Sequence, residues 1–131
     1  MIVLVDTHYA LWMATGGDAL TEPEKALIFA DEVEILISAV SLWELRLKWD
    51  SYHVSGTRKG PADPNRVLAT LIDAKIRIIP LDAAHAATSL VEPIPHKDPF
   101  DELLLIQAQE TGAKFLTRDR RLLDHSLVVA P

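Results

Sequence analysis

The chain has 131 residues, inside the ~100–150 typical of one domain, so a single core spanning residues 1–131 is expected and no second module is needed. Hydrophobic residues make up 49% and charged residues 24%, a composition that folds rather than one that stays disordered. Lys and Arg number 13 against 19 Asp and Glu, a formal charge of -6, which argues against a nucleic-acid binder that spreads a basic coat over phosphates.

The absence of cysteine excludes a disulfide framework, a thiolate zinc site and a cysteine nucleophile, and is compatible with a reducing compartment. The apolar start, Met1 to Val5, meets Asp6 at once and is too short for a signal core or a membrane span. A soluble, cytoplasmic protein without membrane contact is the expectation.

In chain order, Ile2 to Val5 is an apolar strand ended by Asp6, and His8 to Met13 reads as a short helix stopped by Gly16-Gly17. Thr21 with Glu24 three residues on forms a capping-box pattern, with Pro23 in the first turn, for a helix running to about Asp31. Val33 to Ser38 is a second strand. Ser41 with Glu44 repeats the capping-box spacing at the start of a helix over Leu42 to Trp49. Ser51 to Pro64 is polar and Gly/Pro-punctuated, an exposed loop before an amphipathic helix over about Asn65 to Lys75. Ile76 to Pro80 is a third strand, Asp82 opens a helix to about Val91, and Glu92 to Pro95 is a loop. Phe100 to Thr111 is an apolar helix ended by Gly112; Lys114 to Thr117 and Leu127 to Val129 complete the strands.

Short continuous apolar strands alternating with helices mean a mostly parallel sheet covered on both faces. The fold expected is a three-layer α/β/α sandwich with four to five strands. Ligands of such sheets bind outside the carboxyl ends of the strands, and four acids fall at strand-to-helix junctions: Asp6, Glu44, Asp101 and Asp119. Carboxylates gathered in one pocket repel unless a cation neutralises them. Oxygen-rich sites of this type suit magnesium or manganese, which can activate a water against a phosphodiester.

Each acid also has a plainer role. Asp6 could cap its helix, Glu44 could serve the Ser41 capping box, Asp101 could cap its helix with Asp98 as an equal candidate, and Asp119 could pair with Arg118, Arg120 or Arg121. Their shared placement at junctions favours a common site. His8, His53, His85 and His125 lack metal-ligand spacing and read as packing or solvent-facing residues. The run His96-Lys97-Asp98 matches a phospholipase motif only superficially, because that chemistry needs separated residues. No Gly-x-Ser-x-Gly elbow and no phosphate-binding Gly-rich loop is present.

Four segments together resemble the PIN-domain ribonucleases, and among them the VapC-type toxins of toxin–antitoxin pairs. They are Leu4-Val5-Asp6-Thr7-His8 with Leu11-Trp12; Ser38 to Leu45 with Lys48; His96 to Asp101 running into Leu104 to Ala108; and Leu116-Thr117-Arg118-Asp119. The resemblance spans nearly the whole chain. It implies a PIN-like fold and a metal-dependent endoribonuclease with Asp6, Glu44, Asp101 and Asp119 as the acidic site, loaded with Mg2+ or Mn2+. Asp98 is the rival or helper of Asp101, and Thr7 and Thr117 are supporting hydroxyls. It also implies a homodimer and a VapB-like antitoxin whose basic side chain can enter the acidic pocket. Glu102 stands where many such toxins carry Arg.

A mean hydropathy of +0.13 agrees with apolar surface covered by a second copy or an antitoxin segment. Arg46 with Lys48, Arg58 with Lys59, and Arg118, Arg120 and Arg121 are candidate stretches of an RNA path, with solvated surface as the plainer reading. Trp12, Trp43 and Trp49 read as core, Trp43 packing to hold Glu44. The alternative functional reading is a non-catalytic PIN-like module that binds RNA or a partner. A phosphoacceptor receiver is the third reading, opposed by the lack of an acid at the end of the third strand, Ile79-Pro80-Leu81.

Overall fold

The structure, a computed structural model, describes residues 1–131. Five strands, β1 (Ile2–Val5), β2 (Glu34–Ser38), β3 (Arg77–Ile79), β4 (Lys114–Leu116) and β5 (Val128–Val129), form one sheet in the order β3-β2-β1-β4-β5. All four pairings are parallel. Six helices accompany them: α1 (Thr7–Ala14), α2 (Glu22–Ile28), α3 (Ala39–Trp49), α4 (Pro64–Asp73), α5 (Ala83–Ala87) and α6 (Pro99–Thr111).

Successive strand residues point to opposite faces, and β1 shows the result. Val3 and Val5 are buried with Tyr9, Ala10, Leu45, Val67 and Leu71 beneath α1, α3 and α4. Leu4 faces the other way, into a second core with Leu104, Leu105, Ala108, Phe115 and Leu122 beneath α6. This is the three-layer sandwich expected, and no helix is long and apolar enough to cross a membrane.

Several boundaries differ from the sequence reading for identifiable reasons. Helix α3 begins three residues before Leu42, because Ser38 rather than Ser41 caps it: the Ser38 hydroxyl accepts from the Val40 amide at 3.0 Å. Ser41 is then buried inside the helix, so Glu44 belongs to no capping box. The Thr21/Glu24 capping box does form, but α2 ends at Ile28 instead of Asp31. Asp82 caps α5 as expected, yet that helix stops at Ala87 instead of Val91. Beyond it, the side chain of Gln109 takes over the backbone, accepting from the Val91 amide at 2.8 Å and donating to the Ser89 carbonyl at 3.2 Å. A helix through those residues would need the same groups.

The chain leaves β1 toward β2 and β3, then returns to the other side of β1 as β4 and β5. Adjacent ends of β1 and β4 are therefore the topological switch point, where α/β sheets bind ligands. Helix α6 delivers its first turn to the same edge. Its C-terminus is closed by Gly112 in the left-handed region (φ 72°), the conformation glycine adopts at least strain, and the chain re-enters the sheet at Lys114. The start of α6 therefore lies at the carboxyl edge.

Gln107 fixes that placement. Fully buried in α6, it accepts from the Ser38 hydroxyl at the end of β2 and donates to the Pro80 carbonyl after β3 at 3.0 Å. Gln107→Leu keeps the volume but leaves Ser38 and Pro80 unpaired in the interior. The expected loss is about 2 kcal/mol, read in urea as a lower unfolding midpoint with an unchanged slope.

Candidate active site

Asp6 ends β1 and caps α1. Its Oδ1 accepts from the Tyr9 amide at 3.2 Å and its Oδ2 from the Thr117 hydroxyl at 2.7 Å. Cap and site roles are thus combined in one carboxylate. Burial raises its pKa above the ordinary 3.8, opposed by the Thr117 hydrogen bond. Thr117 also accepts from the Asp119 amide at 3.1 Å, so one hydroxyl ties the end of β4 to the end of β1.

Glu44 projects from α3 into the same cleft. The Thr7 hydroxyl donates to its Oε1 at 2.6 Å and lies 3.1 Å from the Ser41 hydroxyl, while Lys48 approaches Oε2 at 3.5 Å. Asp98 caps α6, its Oδ1 accepting from the Phe100 and Asp101 amides at 2.9 and 3.3 Å. Asp101 carries no such duty. Its carboxylate faces His96 Nε2 at 3.5 Å, and its pKa is pushed up to about 6 by burial first, then by the charges of Asp98, Asp119 and Glu44. Asp119 is held by Arg121, which donates its amide and Nε to Oδ1 at 3.0 and 3.1 Å and a terminal nitrogen to Oδ2 at 2.9 Å. That clamp lowers the Asp119 pKa and realises its plainer sequence reading without removing it from the site.

These groups line a cleft of about 540 Å³ that also includes His8, Trp12, Lys48, Arg118 and Arg121. Asp6, Thr7, Glu44, Asp98, Asp101, Thr117 and Asp119 all border it. The tightest set of ligand-type atoms is narrower: those of His96, Asp101 and Asp119 lie within 4.8 Å of one another. Acidic oxygens at that spacing, one of them on a carboxyl that resists ionisation, fit a hard divalent cation.

Three expectations need correction. Trp43 is not core: it is 47% exposed and packs edge-on against Phe100 at 5.3 Å between ring centroids, because the inward positions of α3 are Val40, Ser41 and Leu45. Arg118 is not a free RNA contact. It forks onto buried Glu24 at 2.8 and 2.5 Å, stacks over Trp12 at 4.2 Å, and pulls the Glu24 pKa down to about 2. Two histidines were missed. His8 borders the cleft, and His96 sits against Asp101; the available signal was a histidine two residues before the aspartate that caps a helix at the sheet edge.

A parallel α/β/α sandwich whose acidic cleft lies at the β1/β4 switch point defines a class of acidic-site domains. Residues 3–126 match the family model described as PIN domain, and the chain belongs to that family. It is 29% identical over 125 residues, 94% of this chain and 91% of the relative, to Ribonuclease VapC22 of Mycobacterium tuberculosis. Among solved structures it resembles a chain of VapBC2 from Rickettsia felis bound to a DNA fragment from their promoter, with a TM-score of 0.61 and 15% identity over 98% of this chain and 96% of that one. It also resembles a chain of a toxin–antitoxin complex from Klebsiella pneumoniae, with a TM-score of 0.64 and 20% identity over 98% and 97%.

The raised Asp101 pKa gives a test on metal-free protein. Carboxyl-carbon NMR should show Asp101 titrating near pH 6, and Asp98→Asn should lower that midpoint by removing a like charge, since Asn caps a helix as well as Asp. The folded state holds the Asp101 proton more tightly than the unfolded state, so this group's contribution is fully present below about pH 4 and is lost as pH rises through about 6. Asp101→Asn should therefore stabilise the metal-free protein at pH 7, by about 1–3 kcal/mol, in denaturant titrations.

Proposed function

We propose that this chain is a magnesium- or manganese-dependent endoribonuclease and the toxin of a VapBC-type toxin–antitoxin pair, working in the cytoplasm as one domain over its 131 residues. The observation that carries this reading is the convergence of Asp6, Glu44, Asp101 and Asp119 on one cleft at the switch point of the sheet. The ribonuclease relative, similar over 94% of the chain, and the toxin–antitoxin complexes of like fold support it.

Asp6, Glu44, Asp101 and Asp119 would hold the ion, directly or through water, with Asp98, whose carboxylate caps α6, adding to the negative wall. Bound there, a divalent ion supplies an acidified water and offsets charge on the leaving oxygen. The chain's own residues do the positioning. Thr117 keeps the Asp6 carboxylate turned into the cleft, Thr7 does the same for Glu44, and Lys48 and Arg121 at the rim can meet phosphates on either side of the scissile bond. A single-stranded or loop segment suits this open cleft, because its phosphate reaches the carboxylates without unwinding a duplex.

Trp43 and Leu47 leave apolar surface exposed on α3, and a homodimer partner or the antitoxin would cover it. A basic antitoxin side chain entering the cleft would replace the cation and so inhibit.

Cleavage of purified RNA, followed with Mg2+, with Mn2+ and with chelator, tests the activity. Wild type should cut only with metal, and Asp6→Ala and Asp101→Asn should each lose about 100-fold or more. Equal cleavage by wild type and both variants would refute the assignment, and metal-loaded wild type that binds RNA without cutting it would establish the non-catalytic module instead. Expression in growing cells should arrest growth, and co-expression of the antitoxin should restore it; Asp101→Asn should be harmless without antitoxin.

A further inference from the structure

The compact trio of His96, Asp101 and Asp119 has the make-up of a His/Asp/Asp metal triad, yet the histidine is wired differently. Its Nδ1 accepts a hydrogen bond from the Asp98 amide at 3.1 Å. A backbone N–H can only donate, so Nδ1 carries a lone pair and the ring proton of neutral His96 resides on Nε2. That Nε2 is buried and has no hydrogen-bond partner; Asp101 Oδ2 lies 3.5 Å from it, longer than an ordinary N–H···O bond, so a small closing movement would complete the contact.

We propose that His96 is a positioning residue rather than a metal ligand: its Nε2–H holds one oxygen of Asp101 and leaves the other for the cation. The proposal rests on the metal-site reading above. A histidine that ligates through Nε2 normally donates its Nδ1–H to an acceptor. Here the partner of Nδ1 is itself a donor, so ligation through Nε2 would require either an imidazolate or two N–H groups opposed at 3.1 Å. Hard cations also favour the carboxylate oxygens beside it.

The device is built into the helix cap. Asp98 gives its carboxylate to the Phe100 and Asp101 amides and its own amide to His96, so one residue starts the helix that carries Asp101 and sets the tautomer that orients it. This assigns Asp98 a structural part and leaves Asp101 as the ligand, separating two aspartates that sequence alone leaves as rivals.

The test reads tautomer and Mn2+ affinity rather than turnover. In the metal-free wild type, long-range 1H–15N spectra should show a protonated Nε2 and an unprotonated Nδ1 for His96, with the Nε2 signal moving in Asp101→Asn. By calorimetry, His96→Leu should weaken Mn2+ binding about 10-fold or more, in the range usual for lost outer-shell donors, and His96→Gln, which keeps an N–H near the Nε2 position, should recover most of it. Electron spin echo spectra of the Mn2+ complex should lack coupling to a directly bound imidazole nitrogen. A protonated Nδ1, a directly coordinated nitrogen, or a His96→Leu variant with wild-type affinity would each overturn the proposal. If wild type binds no Mn2+, the metal reading fails by itself, while the tautomer and its response to Asp101→Asn still decide the His96–Asp101 contact.

Discussion

Several carboxylates must share one partly buried edge of the sheet, and mutual repulsion is the constraint around which the rest of this structure is arranged. Burial in such a cleft, and after it the like charges of Asp98, Asp119 and Glu44, raise the pKa of Asp101. The fold answers by giving nearly every acid a local donor: Thr117 for Asp6, Thr7 and Lys48 for Glu44, backbone amides for Asp98, and Arg121 for Asp119. Asp101 receives the least, a long approach from His96, and correspondingly carries the charge burden that a cation would relieve.

Convergence of these groups follows from topology as much as from the acids themselves. With β1 central and flanked by β2 and β4, the carboxyl ends of three parallel strands lie side by side: β1 leads into Asp6 and Thr7, β4 into Thr117 and Asp119, and β2 into α3, which carries Glu44 in its second turn. Asp101 differs, arriving on a helix from the opposite direction. Its position depends on the axial placement of α6, and the buried Gln107 contacts with Ser38 and Pro80 set that placement. A buried amide with every polar neighbour satisfied specifies one register, where an apolar side chain would tolerate sliding.

The periodicity of apolar runs made the layers and most elements legible in the sequence, because a strand buried on both faces leaves a continuous hydrophobic run. Asp6 and Asp119 were legible for a similar reason, sitting where such runs stop. What escaped depended on side chains competing for backbone groups. Ser38 and Ser41 are equally good caps by residue type, and only the direct passage from β2 into α3 decides between them. The helix expected to reach Val91 ends at Ala87 because Gln109, 18 residues further along, captures the amide of Val91. Likewise, His96 carries no metal-ligand spacing, and its relation to Asp101 exists only once Asp98 has capped α6. The pairing of Arg118 with Glu24 left no local signal because the two lie 94 residues apart.

The charge of -6 takes a different meaning once the ion pairs are located. The cations bordering the cleft are anchored by acids: Lys48 by Glu44, Arg121 by Asp119, and Arg118 by Glu24 just behind it. Carboxylates here do more than create a negative pocket; they recruit the positive groups that surround it. The three cations are similarly exposed, but their acids are not. Arg118 pairs with a glutamate whose side chain is only 5% exposed and also stacks on the Trp12 face, whereas the carboxylates facing Lys48 and Arg121 are 21% and 25% exposed, where exchanging one anionic partner for another costs less. A cation filling the cleft would satisfy Glu44 and Asp119 and free those two side chains for phosphate. On the proposed reading, metal and RNA therefore bind with mutual support, and the acidic balance that at first counts against a nucleic-acid partner becomes the means of holding its cations in reserve until the metal is present.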